Sequence, residues 1–100
     1  MTPNSHVLEL AIFTVKPGFE ERMPELRAML REVLRDFCGL LEFLPYAPMA
    51  SGRVFADLAK WDSLQSAQAV AEAFEKGDPR FAPYVQAIET LTFMGHFRPE

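Results

Sequence analysis

The chain has 100 residues, 49% of them hydrophobic and 24% charged, and carries a formal charge of −4 at pH 7. Those proportions exclude disordered and fibrous classes, and a chain this short builds a single core and gains stability from association. The scattered basic residues argue against a nucleic-acid partner, no apolar run approaches the ~18 residues of a membrane span, and the start Met1-Thr2-Pro3-Asn4-Ser5-His6 lacks the basic and apolar regions of a signal peptide.

A cytoplasmic protein of one domain, 1–100, is therefore expected. The single cysteine, Cys38, cannot form an intramolecular disulfide or anchor a Cys-rich metal site.

His6 to Lys16 is rich in β-branched and aromatic residues and stops at the turn signal Pro17-Gly18, which predicts a first strand. Its two faces are Leu8, Leu10, Ile12, Thr14 and Val7, Glu9, Ala11, Phe13, Val15; neither is polar throughout. From Glu20 to Phe37, Met23, Leu26, Leu30, Val33, Leu34 and Phe37 recur at helical spacing. Pro24 must then sit in the first turn, where its missing N–H has no acceptor to lose, so the start can slide toward Glu21. Gly39 closes this helix in a left-handed C′ conformation.

Leu40 to Leu44 reads as a short second strand, followed by a Pro- and small-residue hairpin from Pro45 to Gly52, and Arg53 to Trp61 as a third strand with apolar residues on both parities. Asp62 or Ser63 caps a second helix to about Lys76, with Leu64, Ala67, Val70, Ala71 and Phe74 inward. Gly77-Asp78-Pro79 breaks it, Arg80 to Ala87 forms a further short helical piece, and Ile88 to Phe97 is the fourth strand. Two βαβ halves of similar length result, an α+β domain built as a split βαβ with a four-stranded antiparallel sheet.

The helices cover one sheet face. An antiparallel sheet with its other face in water shows polar residues at alternate positions, and strands one and three do not. A second copy of the chain is the simplest cover, and a homodimer is expected; aggregation-prone packing is the alternative.

Three segments carry a resemblance: Phe13-Thr14-Val15-Lys16-Pro17-Gly18, Cys38-Gly39-Leu40-Leu41-Glu42-Phe43, and Lys60-Trp61-Asp62-Ser63-Leu64-Gln65-Ser66-Ala67. Together they resemble the dimeric α/β-barrel superfamily, most closely its antibiotic biosynthesis monooxygenase (ABM) group, across nearly the whole chain. The resemblance implies a ferredoxin-like βαββαβ fold, two sheets paired face to face, and a small aromatic or polyketide-like molecule between each sheet and its helices, oxidised in some members without a cofactor. Departures accompany it. Lys60 stands where many members place an acid before the strand-three tryptophan. Ala11 and Val85 fall where haem-degrading relatives have an asparagine and a histidine, so haem oxygenation is not expected. His6 is similar to the strand-one histidine of stress-responsive and polyketide-cyclase relatives, but Asp78-Pro79-Arg80-Phe81 replaces their second histidine.

Cofactor-free oxygenation uses an electron-rich phenolate that itself reduces oxygen, so the protein supplies a dry pocket, a base and fixed hydrogen-bond partners. Glu9, among apolar neighbours, is a candidate base whose pKa burial would raise; alternatively it is a strand-end carboxylate reaching water. Asp57, mid-strand, must be functional or paired, with Arg53 or Lys60 as partners. His6 is a third candidate catalytic group. It and His96 lie on neighbouring strands but do not make a zinc site, which wants three or four protein ligands, and His96 reads as an interface or surface residue.

Trp61, Tyr84, Phe55 and Phe81 are candidate substrate contacts, with Trp61 also readable as core and Tyr46 as a loop-tip residue. No cofactor or metal is implied, and no phosphate loop, nucleophile elbow or zinc-helix motif occurs. An ABM-like enzyme, a non-catalytic small-ligand carrier, and a structural dimer whose cavity is filled by Phe55, Phe81, Phe93 and Met94 all remain open at this point.

Overall fold

In the computed structural model, which describes residues 5–100, β1 (Val7–Val15) leads through a 3-10 turn (Glu20–Arg22) into α1 (Met23–Arg35). β2 (Leu40–Tyr46) and β3 (Val54–Trp61) follow, then α2 (Leu64–Glu75), a 3-10 turn (Pro79–Phe81), α3 (Ala82–Ala87) and β4 (Ile88–Phe97). The strands form one antiparallel sheet in the order β2-β3-β1-β4. This is the expected α+β, ferredoxin-like βαββαβ arrangement. The N-terminal residues read above for a signal peptide lie, up to Asn4, outside the described residues.

Local chemistry sets the boundaries. Pro24 falls in the first turn of α1, as its missing N–H requires, and the helix starts at Met23 because Glu20–Arg22 winds more tightly. Gly39 (φ +94°) turns the chain from α1 into β2 in a conformation that penalises any Cβ. Ser63 caps α2, its Oγ accepting from the Ser66 N–H at 3.1 Å. β2 runs two residues beyond its predicted end, through Pro45; as an edge strand it presents one side without a neighbour, where a missing N–H costs no ladder bond.

Cross-strand register assigns the faces that sequence parity left open. Val7, Glu9, Ala11, Phe13 and Val15 lie on the helix side, opposite Trp61, Ala59, Asp57 and Phe55 of β3 and His96, Met94 and Leu91 of β4. Trp61, Phe13, Phe81, Met23 and Val15 are wholly buried there, and Leu26, Leu30 and Leu34 of α1 with Ala67 and Val70 of α2 close over them. Leu64, predicted inward, is 47% exposed: it opens α2 beside the cap and misses the sheet.

The opposite face carries Leu8, Leu10 and Ile12 beside Leu58, Leu44 and Ala56, with Phe93 and Phe97 stacked 6.1 Å apart at one margin and a Lys60–Glu42 ion pair of 3.4 Å at the other. Both main helices pack on the first face, which leaves this second, largely apolar face to solvent within the chain. No helix among the described residues is long and apolar enough to cross a membrane.

Candidate active site

Between the sheet and the helices lies a cavity of about 430 Å³. Ala11, Phe13, Phe43 and Ala59 form its apolar floor, Leu30 and Leu34 of α1 and Val70, Ala71 and Phe74 of α2 its roof, and Phe81, Val85, Ile88, Leu91 and Met94 its side. Such a volume is in the range of small-molecule sites, and it exists because small residues, Ala11 and Ala59, stand at the centre of the floor. The expectation of a cavity filled by phenylalanines is therefore corrected: Phe55 is buried outside the lining, Phe93 is paired with Ile12 on the opposite sheet face, and Phe81 and Met94 line the space without closing it.

Two polar clusters interrupt the apolar wall. In the first, Glu9 of β1 faces its register partner His96 of β4, Oε2 to Nε2 at 2.9 Å, while the Trp61 indole N–H donates to Oε1 at 3.3 Å. Burial pushes the Glu9 carboxyl above its ordinary range, an effect larger than the opposing pull of His96 and Trp61 and reinforced by the charge of Asp57. A carboxylate so raised is a stronger base than one in water.

In the second cluster, the Tyr84 hydroxyl donates to Asp57 Oδ2 at 2.5 Å and Arg27 Nη2 donates to Asp57 Oδ1 at 2.9 Å. Arg27 also donates to the carbonyls of Tyr46 (2.9 Å) and Ala56 (3.1 Å) and lies against the Phe55 ring, 4.9 Å from its centroid. Burial raises the Asp57 pKa, against the hydrogen bond from Tyr84 and the charge of Arg27. Burial and the adjacent Asp57 carboxylate also push the Tyr84 hydroxyl far up, so it stays protonated.

Glu9, Asp57, Tyr84 and Phe81 thus share one cavity wall. Trp61 and Phe55, expected to touch a ligand, lie behind it, and Trp61 reaches the cavity only through Glu9. His6, half-buried just before β1, does not line the cavity. The predicted partners of Asp57 are corrected. Arg53 instead bonds the Val15 carbonyl and Glu89, and Lys60 pairs with Glu42 on the other face.

Two residues of this site were not read from the sequence as such. Arg27 stands four residues after Met23 and three before Leu30, in the middle of the apolar stripe of α1, and a charge at that position signals a buried partner. His96, read as a surface group, faces Glu9 because β1 and β4 pair across two register shifts that no sequence pattern announces. Among the described residues no group of three or more His, Cys, Asp or Glu is placed to hold a metal ion.

Topology and cavity together define an α+β, ferredoxin-like domain with an acid-bearing apolar chamber between sheet and helices. Solved structures with this fold include a Chloroflexus aurantiacus protein given the provisional name antibiotic biosynthesis monooxygenase (19% identity, TM-score 0.73, covering 96% of this chain and 94% of that one). SnoaB, a cofactor-independent oxygenase from Streptomyces nogalater, shares it at 16% identity and a TM-score of 0.70, over 96% of this chain and 94% of its own. So does a monooxygenase from the gene ActVA-Orf6 of Streptomyces coelicolor, solved with the ligand nanaomycin D, at 20% identity and a TM-score of 0.70, over 99% and 91%. No protein-family model and no curated protein matches the sequence. The fold is that of the ABM-like structures.

Proposed function

We propose that this chain is an ABM-like enzyme that binds a small aromatic or polyketide-type molecule in the cavity and oxygenates it without a cofactor, working as a homodimer. The observation that carries the reading is the part-buried Glu9 carboxylate, which lines a mostly apolar chamber of about 430 Å³ and is backed by His96 at 2.9 Å from outside the lining. Nanaomycin D bound to the Streptomyces coelicolor monooxygenase of the same fold supports the ligand class.

In this mechanism the Glu9 carboxylate takes the proton of a phenolic hydroxyl, and His96, 2.9 Å beyond it, shares that proton. The resulting phenolate is the reductant for dioxygen, and the apolar roof keeps water from competing. Trp61 is a positioning residue that fixes the Glu9 carboxylate, while Asp57, held by Arg27 and Tyr84, presents a second polar point to the substrate. The apolar sheet face of Leu8, Leu10, Leu44 and Leu58 is the proposed dimer surface.

Oxygen uptake with a panel of hydroquinones tests the reading. Turnover above the protein-free rate is expected, with a loss of about a hundredfold or more in Glu9→Gln; uptake no faster than in buffer alone across the panel, or full activity in that variant, sinks the enzymatic reading. A second reading, a non-catalytic carrier using the same cavity, is motivated by the departures from the resembled family, Lys60 before the strand-three tryptophan and the missing helical-region histidines. A ligand that raises the melting temperature without being consumed would select it.

A further inference from the structure

A molecule filling the cavity stops its mouth, so a proton leaving that molecule needs a second way out. The exposed lining residues mark the mouth: Glu75 at the end of α2, Val85 of α3, and Leu91 and Met94 of β4. Two polar clusters touch the cavity away from it, and they differ in where they lead. The Tyr84 hydroxyl is committed to Asp57 Oδ2, and Oδ1 is held by Arg27, which is 8% exposed. A guanidinium does not give up its proton in a protein, so this cluster is a dead end.

The other cluster is open. Glu9 lines the cavity, whereas His96, 2.9 Å from it, stands outside the lining and is the more exposed of the two side chains, 22% against 13%. His96 turns Nε2 to Glu9, and its second ring nitrogen, Nδ1, has no protein partner among the described residues. Among those residues only Arg27 Nε is both buried and unpartnered, so Nδ1 is within reach of water. Trp61, the other group on Glu9, is a donor only and conducts nothing. Asp57, Glu75 and Tyr84 are the remaining ionisable groups on the cavity, and none of them bonds to His96.

We infer that Glu9 and His96 form a proton outlet separate from the mouth, through which the hydroxyl of an enclosed ligand exchanges its proton with bulk water while the ligand stays bound. The inference rests on the reading of this cavity as a ligand site, and not on what becomes of the ligand there. The ligand O–H bond breaks with its electron pair left on oxygen. The Glu9 carboxylate takes the proton and hands it to Nε2 of neutral His96, and Nδ1 of the resulting imidazolium gives its own proton to water. A carboxylate alone, walled in by apolar side chains, has nowhere to pass a proton, which is the physical use of placing a half-buried imidazole behind it.

A pH jump on the complex with 4-nitro-1-naphthol measures this, since that phenol is coloured as its anion and too electron-poor to react with oxygen. The rate at which the bound chromophore changes colour is compared with its rate of dissociation, taken from displacement by excess 1-naphthol. In the unaltered protein the colour is expected to follow the jump about tenfold or more faster than the ligand leaves. His96→Gln keeps an amide to hydrogen-bond Glu9 but carries no exchangeable imidazole, and its colour change is expected to slow to the dissociation rate; Glu9→Gln should do the same. Colour changing no faster than dissociation in the unaltered protein overturns the inference. So does His96→Gln relaxing as fast as the unaltered protein, and either result leaves the cavity as a ligand site. Failure of both naphthols to bind removes the ligand site itself, and the outlet with it.

Discussion

Replacing Asp57 by alanine leaves the Arg27 guanidinium buried without its carboxylate. The side chains of the pair are 9% and 12% exposed, so solvent screens their interaction little. Breaking a buried pair by removing one partner costs about 3–5 kcal/mol. Arg27 keeps its bonds to the Tyr46 and Ala56 carbonyls, which places the expected loss near the lower end, about 3 kcal/mol. For a domain of this size that is a fall in melting temperature of roughly 12 °C or more. Urea unfolding at neutral pH and fixed protein concentration is the assay, with an unchanged m-value as the control for two-state behaviour. Arg27→Met is the instructive counterpart. It orphans Asp57, whose pKa burial already raises, so the carboxyl can take up a proton and limit the damage as pH falls. The pair Arg27→Met with Asp57→Leu should recover most of the stability, since an apolar replacement removes both desolvation penalties. A cost below about 1 kcal/mol for Asp57→Ala, or a double variant as unstable as the two singles summed, would refute the argument that the charge is buried and held by its partner.

Three further outcomes follow from the geometry. Because burial holds the folded-state pKa of Glu9 above the ordinary 4.5, the native protein binds more protons than the unfolded chain between that value and the raised one. Stability should decline as pH rises through that window, and Glu9→Gln should abolish that part of the decline; parallel stability–pH curves for the two proteins would contradict it. Gly39→Ala should cost about 2 kcal/mol in urea unfolding, from the left-handed backbone and from a Cβ pressed into the Asp62 carboxylate and Ser66 hydroxyl, and a loss under about 0.5 kcal/mol would show that the turn relaxes freely. Leu10→Glu, on the open sheet face, should convert a dimer to a folded monomer in sedimentation velocity, whereas wild-type protein sedimenting at 11.4 kDa would remove the proposed dimer.

The element order was legible because its punctuation is chemical. Pro17-Gly18, Gly39 and Gly77-Asp78-Pro79 each end an element where backbone freedom or a missing N–H demands it. Pro45 misled for the same reason, since a proline ends a central strand but is tolerated in an edge strand, and edge position is a property of the assembled sheet. The carboxylates of the site were legible as charges among apolar neighbours. Their partners were not: Arg27 comes from 30 residues before Asp57 in the chain, and His96 from 87 residues after Glu9. Alternation along a strand names two faces but does not say which one the helices take, and only the register with Trp61, Phe55 and the burial of Phe13 and Val15 decides it.

α3 passes into β4 with no residue between them: Ala87 ends one, Ile88 begins the other, and the Lys16 N–H ties the Ala87 carbonyl to the end of β1 at 2.8 Å. Val85, Ile88, Leu91 and Met94 consequently form one continuous stretch of cavity wall that cannot swing outward without prying a strand from the sheet. The last turn of α2, Ala71 to Glu75, belongs to no strand; it ends at Gly77 in a left-handed conformation and is held by the Lys76, Gly77 and Asp78 N–H groups donating to the Glu72, Phe74 and Ala73 carbonyls. Amide hydrogens in that turn should exchange faster than those at the α3–β4 junction, and the residence time of a ligand would be governed by how often that turn frays.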